Sequence, residues 1–465
     1  MALTGRELAY RTLSRWSVLS DPPFLPERSE PEWQGAAARE RAFGFELITG
    51  IMRRRGTLDA IVATRLRQAL ESLDLPLRAL LWIGAYQLLF QGGTAAYAAV
   101  DSTVQLAKAD RATARAAGLV NAVLRGITRL HPAAGALRDY ERSRRAFPLD
   151  FETAVTLAAD IFPNPHAAPD AYLAATLSHP EAYVGHLRGL FGEREAAALL
   201  LRNNLRPVIT LRADREALEV PASASLGAHA DFPRFVVALQ GWNGEIETLV
   251  ERGVLSPQDP TAAKPVRRAT DVAGDHPPAT VLDLCAGLGT KALQMARAFP
   301  QARVTATDID AGKLSRLMTR VRQVQQSGIE TVGLETLGGG GRLFDLVLVD
   351  VPCSNTGVMG KRVQSRWRWP TLDHAGLHAL QRRLLEQGAA LVAPGGMLVY
   401  GTCSIDPAEN EGIVGAFLEG ARAADSVPAA GSFTRAAEET TLPSLSNDPT
   451  RSRDGGYYCI LKRSA

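Results

Sequence analysis

At 465 residues the chain is longer than one hydrophobic core usually serves, so two or three domains are expected. With 46% hydrophobic and 22% charged residues it is neither disordered nor fibrous, and four cysteines at long, irregular spacing give neither a disulfide framework nor CxxC metal pairs. The net charge of +3 argues only weakly for a polyanion partner, yet basic residues gather at 51–56 (IMRRRG), 141–145 (ERSRR) and 360–369 (GKRVQSRWRW).

The N-terminal stretch MALTGRELAYRTLSRW mixes charge through its apolar residues and does not read as a signal peptide. The longest apolar run, ALLWIGAYQLLF at 79–90, is too short to cross a bilayer and fits a buried helix. A reducing cytoplasm is the expected compartment. Residues 1–135 read as an all-α domain. Thr57 is placed to cap a helix carrying Leu58, Ile61, Val62 and Leu66 on one face, and Pro76 suits the first turn of the next. ARAAGLVNAVLRGI at 114–127 is a further amphipathic helix. Residues 136–275 read as a small linking α+β region with strands in RPVITLRAD, RFVVALQ and GVLSPQDP, closed by the proline break DHPPAT.

From 276 to 465 the pattern becomes βαβ. TVLDLC, ARVTATDID and the continuous apolar run FDLVLVDV are strands separated by helical periodicity, which predicts a doubly wound α/β domain. GGGG at 338–341 reads as a loop. In such a sheet ligands bind beyond the carboxyl ends of the strands. DLCAGLGTK (283–291) puts Gly287 and Gly289 on the first strand-to-helix turn, where missing side chains let a ligand approach a helix N-terminus. Asp308 ends the second strand, where an acid can accept both ribose hydroxyls. An aspartate such as Asp350 after an apolar strand can simply cap the next turn, but Pro352 and Cys353 beside it change the weighing.

These residues resemble the RsmB/Sun family of RNA 5-methylcytosine methyltransferases. The family's DLCAAPGGKT appears as DLCAGLGTKA, departing at Gly287, Leu288, Thr290 and Ala292. Its DAPCSxTG appears as DVPCSNTG, and its TCSxxPxEN is intact as TCSIDPAEN. The N-terminal segments GAYQLLF and GLVNAVLRG resemble the NusB-like RNA-binding domain fused to this family. The resemblance implies S-adenosylmethionine as cofactor, held by Cys285, Ala286, Gly287, Leu288, Gly289, Thr290, Lys291, Asp308 and Asp350. The aspartate the family usually carries near the adenine after the third strand is missing here, with Glu335 a possible substitute.

The implied chemistry explains two sparse thiols. Carbon 5 of cytosine is a poor nucleophile until a thiolate adds to carbon 6. The family assigns the attack to the TC cysteine, here Cys403, and the release to the PC cysteine, here Cys353. Asp350 binds the cytosine edge and favours ring protonation. Lys291 could supply positive charge near the thiolate or contact the cofactor carboxylate. Cys285 and Cys459 are each expected within an apolar strand, where their thiols pack in the core. Arg366 and Trp367 match a basic–Trp pair of the family and, with Arg362, are expected to touch RNA; one of Trp367 and Trp369 is expected to anchor that loop on the core. Arg53, Arg54 and Arg55 are expected to contact phosphate. The expected substrate is small-subunit (16S) ribosomal RNA, with no metal and a monomeric enzyme. The rival from another class is an RNA-binding ribosome-assembly factor with a decayed methyltransferase domain; the same chemistry on transfer RNA is a third reading, and a DNA cytosine methyltransferase fits less well.

Overall fold

The structure, a computed structural model, describes residues 3–16, 30–91, 93, 95–137, 143–214, 225–337, 341–423 and 433–465. The chain forms two units, Met1–Arg206 with Met359–Leu372, and Pro207–Val358 with Asp373–Ala465. Residues 338–340 of the GGGG stretch and 141–142 of the ERSRR stretch lie outside the described residues.

The first unit opens with helices at Gly5–Leu13, Pro31–Gln34, Ala38–Ala63, Leu75–Phe90, Ala96–Ala109 and Ala117–Thr128. Thr4 and Glu7 close a reciprocal capping box on the first of these. Pro76 sits in the first turn of Leu75–Phe90, which is buried on nearly every side, with Trp82 only 1% exposed. Thr57 does not cap a helix. It lies inside the 26-residue helix Ala38–Ala63, fully buried, and its hydroxyl donates to Ala175 O at 2.8 Å. A three-stranded antiparallel sheet follows, with Thr153–Thr156 between Ala133–Ala136 and Ala146–Pro148, then helices Pro169–Leu177 and Glu181–Asn204. The region 136–275, read from sequence as one linker, is therefore divided: its helices up to Arg206 pack with the first unit and the rest with the second. Gly56 N donates to Ser178 Oγ at 2.8 Å, one of the bonds that hold those helices there.

The second unit begins with a four-stranded antiparallel sheet in the order Leu226–Ala228, Phe235–Ala238, Ile209–Ala213, Leu255–Pro257, over a core that includes Leu211, Val236, Ile246 and Leu255. Helix Pro260–Ala273 leads into a seven-stranded sheet. Its strands are β1 (Thr280–Asp283), β2 (Arg303–Ala306), β3 (Ile329–Thr331), β4 (Phe344–Asp350), β5 (Val392–Thr402), β6 (Phe433–Thr441) and β7 (Gly456–Arg463), in the order β3-β2-β1-β4-β5-β7-β6. The first five are parallel, and β7 pairs antiparallel with β5 and β6. The sheet is buried on both faces, which is why β4 reads as an unbroken apolar run: Leu346 and Leu348 enter one core, Val347 and Val349 the other. Cys459 on β7 is fully buried, as expected of core filler. Among the described residues no helix is long and apolar enough to cross a membrane.

Candidate active site

Strand order reverses between β1 and β4, so the crevice beyond their carboxyl ends is where an open α/β sheet takes its ligand. Leu348 pairs with Asp283 and Asp350 with Gly401, which brings the ends of β1, β4 and β5 to one edge. On the β1 side, Gly289 has φ +78° and starts helix Thr290–Ala298. A Cβ there would stand 2.0 Å from Leu317 Cδ1, so only glycine fits. Gly287 N donates to Asp308 Oδ2 at 2.8 Å, and Asp310 N to Asp308 Oδ1 at 2.9 Å, fixing the acid at the end of β2 against the turn. Leu288 and Ile309 point apolar side chains outward there, 51% and 90% exposed. Cys285 lies on the turn beyond β1 rather than within a strand; burial, then Asp283, Asp350 and Asp308, pushes its thiol up to about 12.

Asp283 itself is 1% exposed and neither carboxylate oxygen has a well-formed hydrogen bond among the described residues. Burial, then the Asp350 charge, pushes its carboxyl up to about 7. Lys291 Nζ donates to Asp350 Oδ2 at 2.6 Å. Burial works against the ammonium, but Asp350 outweighs it and the Lys291 pKa is raised. Cys403 adds to that attraction, so the ammonium lies within electrostatic reach of this thiol.

Cys353 and Cys403 stand with their sulfurs 3.0 Å apart, both as free thiols. Asn355, in the left-handed region at φ +63°, turns the PC loop back so that its Oδ1 lies 3.3 Å from Cys403 Sγ and its Nδ2 donates to Cys353 O. Gly357 completes the turn: a Cβ there would meet Gly455 O at 2.6 Å and Cys403 O at 2.8 Å. The hydrogen bond from Cys403, then burial, holds the Cys353 thiol well above its usual range.

A buried carboxylate, which the sequence motifs alone do not single out as chemistry-bearing, ties the two thiol loops together. Glu409, 1% exposed, accepts from Ser354 N at 2.8 Å, Ser404 Oγ at 2.6 Å, Gln381 Nε2 at 2.9 Å and the Ser354 hydroxyl. Thr356 Oγ1 and Ser404 Oγ are 2.7 Å apart, and Thr402 Oγ1 donates to Asn410 Oδ1 at 2.6 Å. The serine, threonine, glutamate and asparagine of the two motifs thus join the PC and TC loops to each other. The signal was in the sequence, as the EN that ends TCSIDPAEN.

The basic–Trp pair is placed otherwise than expected. Arg366 is fully buried in the first unit, donating to Asn204 Oδ1 at 2.7 Å, Asn203 O at 2.6 Å, Arg53 O at 3.0 Å and Ser178 O at 3.2 Å. Its guanidinium is spent on the protein's own acceptors and has no face for RNA. Trp367 is half-buried, donates Nε1 to Met52 O at 2.7 Å and carries the Arg55 guanidinium 4.9 Å from its ring. Trp369 packs against Tyr183 and His186. Arg53 and Arg54 are each 6% exposed, and Arg54 Nη1 donates to Pro148 O at 2.9 Å, so these arginines organise the fold instead of meeting phosphate. Arg362 alone of the expected RNA contacts is exposed. Glu335 is exposed beside β3. No cluster of potential metal ligands occurs among the described residues.

Residues 274–462 match the family model described as 16S rRNA methyltransferase RsmB/F, and residues 4–129 match that of the NusB family. A protein of Mycobacterium tuberculosis described as a methyltransferase is 33% identical, over 88% of this chain and 85% of its own length. The ribosomal RNA small subunit methyltransferase B of Sodalis glossinidius is 28% identical over 89% and 88%. In fold, the crystal structure of PH0851 superposes with a TM-score of 0.69 at 19% identity, covering both chains completely.

Proposed function

Because the chain belongs to the RsmB/F family of S-adenosylmethionine-dependent rRNA methyltransferases, we propose that it methylates carbon 5 of a cytosine in small-subunit (16S) rRNA through a covalent bond to Cys403. The observation that carries this reading is the pair of thiols 3.0 Å apart at the sheet edge, beside the Lys291–Asp350 ion pair. When bound, the cofactor supplies an electrophilic methyl group. The residues at its turn suit it: Asp308 is fixed to accept ribose hydroxyls, and the exposed Leu288 and Ile309 offer apolar cover for an adenine. The glycine backbone at 287 and 289 survives the departures at Leu288 and Thr290.

The two thiols take different roles. The Cys353 thiol is held well above its usual range by its hydrogen bond with Cys403 and by burial, which leaves Cys403, within electrostatic reach of the Lys291 ammonium, to make the attack. Addition of the Cys403 thiolate to carbon 6 pushes electron density toward carbon 5, which then accepts the methyl group. Asp350 has one oxygen committed to Lys291 and the other without a hydrogen bond among the described residues, placed to hold the base edge and accompany ring protonation. After transfer, the carbon 5 proton leaves to a base, the double bond reforms and Cys403 departs; Cys353 serves this release.

The test is to change Cys353 to Ala, add S-adenosylmethionine and total cellular RNA, and run the protein on a denaturing gel. A slower band that disappears in the Cys353→Ala, Cys403→Ala double variant supports the assignment, and sequencing the trapped RNA names the substrate. A folded, RNA-binding Cys353→Ala protein with no adduct overturns it. Calorimetry with S-adenosylmethionine tests the altered turn separately, since no binding would favour an RNA-binding assembly factor.

A further inference from the structure

Within the second unit, the four-stranded sheet and helices Pro260–Ala273 and Thr290–Ala298 border a separate cavity of about 630 Å³. One buried carboxylate organises its wall. Asp214, 2% exposed at its side chain, accepts from Ser256 Oγ at 2.6 Å, pairs with Arg297, and lies 2.6 Å from Arg212 Nη2. Half-buried Arg320 lies within electrostatic reach of the same carboxylate. Three guanidinium groups thus share one acid, a positive excess in a place where charge is costly unless balanced.

The remaining wall adds to the excess. Arg212 is 8% exposed; its Nη2 faces Asp214, and its Nε makes no well-formed hydrogen bond among the described residues. Arg234 and Arg267 stand exposed at the rim, with no ion pair among the described residues. Asp271, the other carboxylate on the wall, is engaged by Arg268 at 3.3 Å. Phe232 lines the same space, its ring packed edge-on with His229 and Phe235. Guanidinium forks match phosphate oxygens, and an aromatic ring beside them suits a stacked base.

We propose that this cavity, walled by Arg212, Arg234, Arg267 and Arg297, binds a phosphate group of the RNA substrate with a neighbouring base against Phe232. The inference rests on the reading that the chain acts on RNA. Arg297 sits at the end of helix Thr290–Ala298 away from the cofactor turn, on the order of 10 Å along it, so the contact would grip the strand away from the reacting cytosine.

The rim arginines make the test clean, because neither supports the buried cluster. Arg234→Ala, Arg267→Ala protein and the unchanged chain are titrated with a fluorescent single-stranded RNA at several salt concentrations. The variant is expected to bind roughly tenfold more weakly, with a salt slope lower by about 1, while its melting temperature and S-adenosylmethionine binding stay as they were. Equal RNA affinity overturns the proposal. In a second arm, inorganic phosphate and AMP are tested for raising the melting temperature. A rise lost in the variant, with RNA affinity unchanged, reassigns the cavity to a free phosphate compound and overturns the RNA source. If the Cys353→Ala protein with both rim arginines in place gives the adduct while the rim variant binds RNA normally, only this inference fails; if the unchanged chain binds no RNA, both fall together.

Discussion

Ser354 and Glu409 are 55 residues apart in the chain, yet the Ser354 amide donates to Glu409 Oε2 at 2.8 Å and its hydroxyl to Oε1. That bond joins the loop after β4 to the loop after β5, and so fixes the distance between the two sulfurs. Replacing Glu409 by Ala leaves Ser354 N without its acceptor in a buried place and takes one partner each from Ser404 Oγ and Gln381 Nε2. The expected cost is on the order of 3 kcal/mol, which lowers the melting temperature of the second unit by roughly 5–10 °C. Adduct formation in a Cys353→Ala background should fall as well, because Cys403 loses its support. Unchanged melting and unchanged trapping would show that the loops are held by other contacts.

What the sequence makes legible divides along physical lines. The PC and TC motifs and the continuous apolar β4 were legible because sheet position and chemistry are written in adjacent residues. The Glu409 clamp shows in the sequence only as the EN that ends TCSIDPAEN: Ser404 is five positions away, but Gln381 and Ser354 lie 28 and 55 positions away and only folding brings them to it. Thr57 misled for a related reason: a threonine before apolar residues suits a cap or a helix interior, and the Ala175 carbonyl that decides between them is 118 residues distant. The arginine runs misled because basic residues are ordinarily exposed, whereas here backbone carbonyls converge on them.

Asp283 makes stability depend on pH. Its carboxyl is raised from 3.8 to about 7 in the folded chain, so the folded state holds a proton that the unfolded chain has released. The stabilisation from that proton is complete below pH ~4 and is lost as pH rises through about 7, a swing on the order of 2–4 kcal/mol. Asp283→Asn cannot titrate. Its melting temperature should change less between pH 5 and pH 8 than that of the unchanged chain; equal slopes would assign the dependence to other groups.

Gly289→Ala tests the cofactor turn without touching a charged group. The left-handed backbone costs a β-carbon roughly 1–2 kcal/mol, and the added methyl would overlap Leu317 Cδ1 at 2.0 Å. Calorimetry should find S-adenosylmethionine binding weakened at least tenfold. RNA binding, expected at surfaces away from this turn, should change far less. Loss of both together would mean that the second unit had unfolded, which circular dichroism distinguishes.

Arg362 and Arg366 are four residues apart and should answer to opposite measurements. Arg366 is fully buried with its donors on Asn204, Asn203, Arg53 and Ser178, so Arg366→Ala leaves carbonyls unpaired and a cavity behind. A loss of roughly 3–5 kcal/mol is expected, read as a lower melting temperature of the first unit. Arg362 is exposed, so Arg362→Ala should leave melting within about 1 °C and weaken RNA binding a few-fold, with a shallower salt dependence. The reverse pattern, a stable Arg366→Ala protein that has lost RNA, would return the buried arginine to the substrate and require the segment Met359–Leu372 to open when RNA binds.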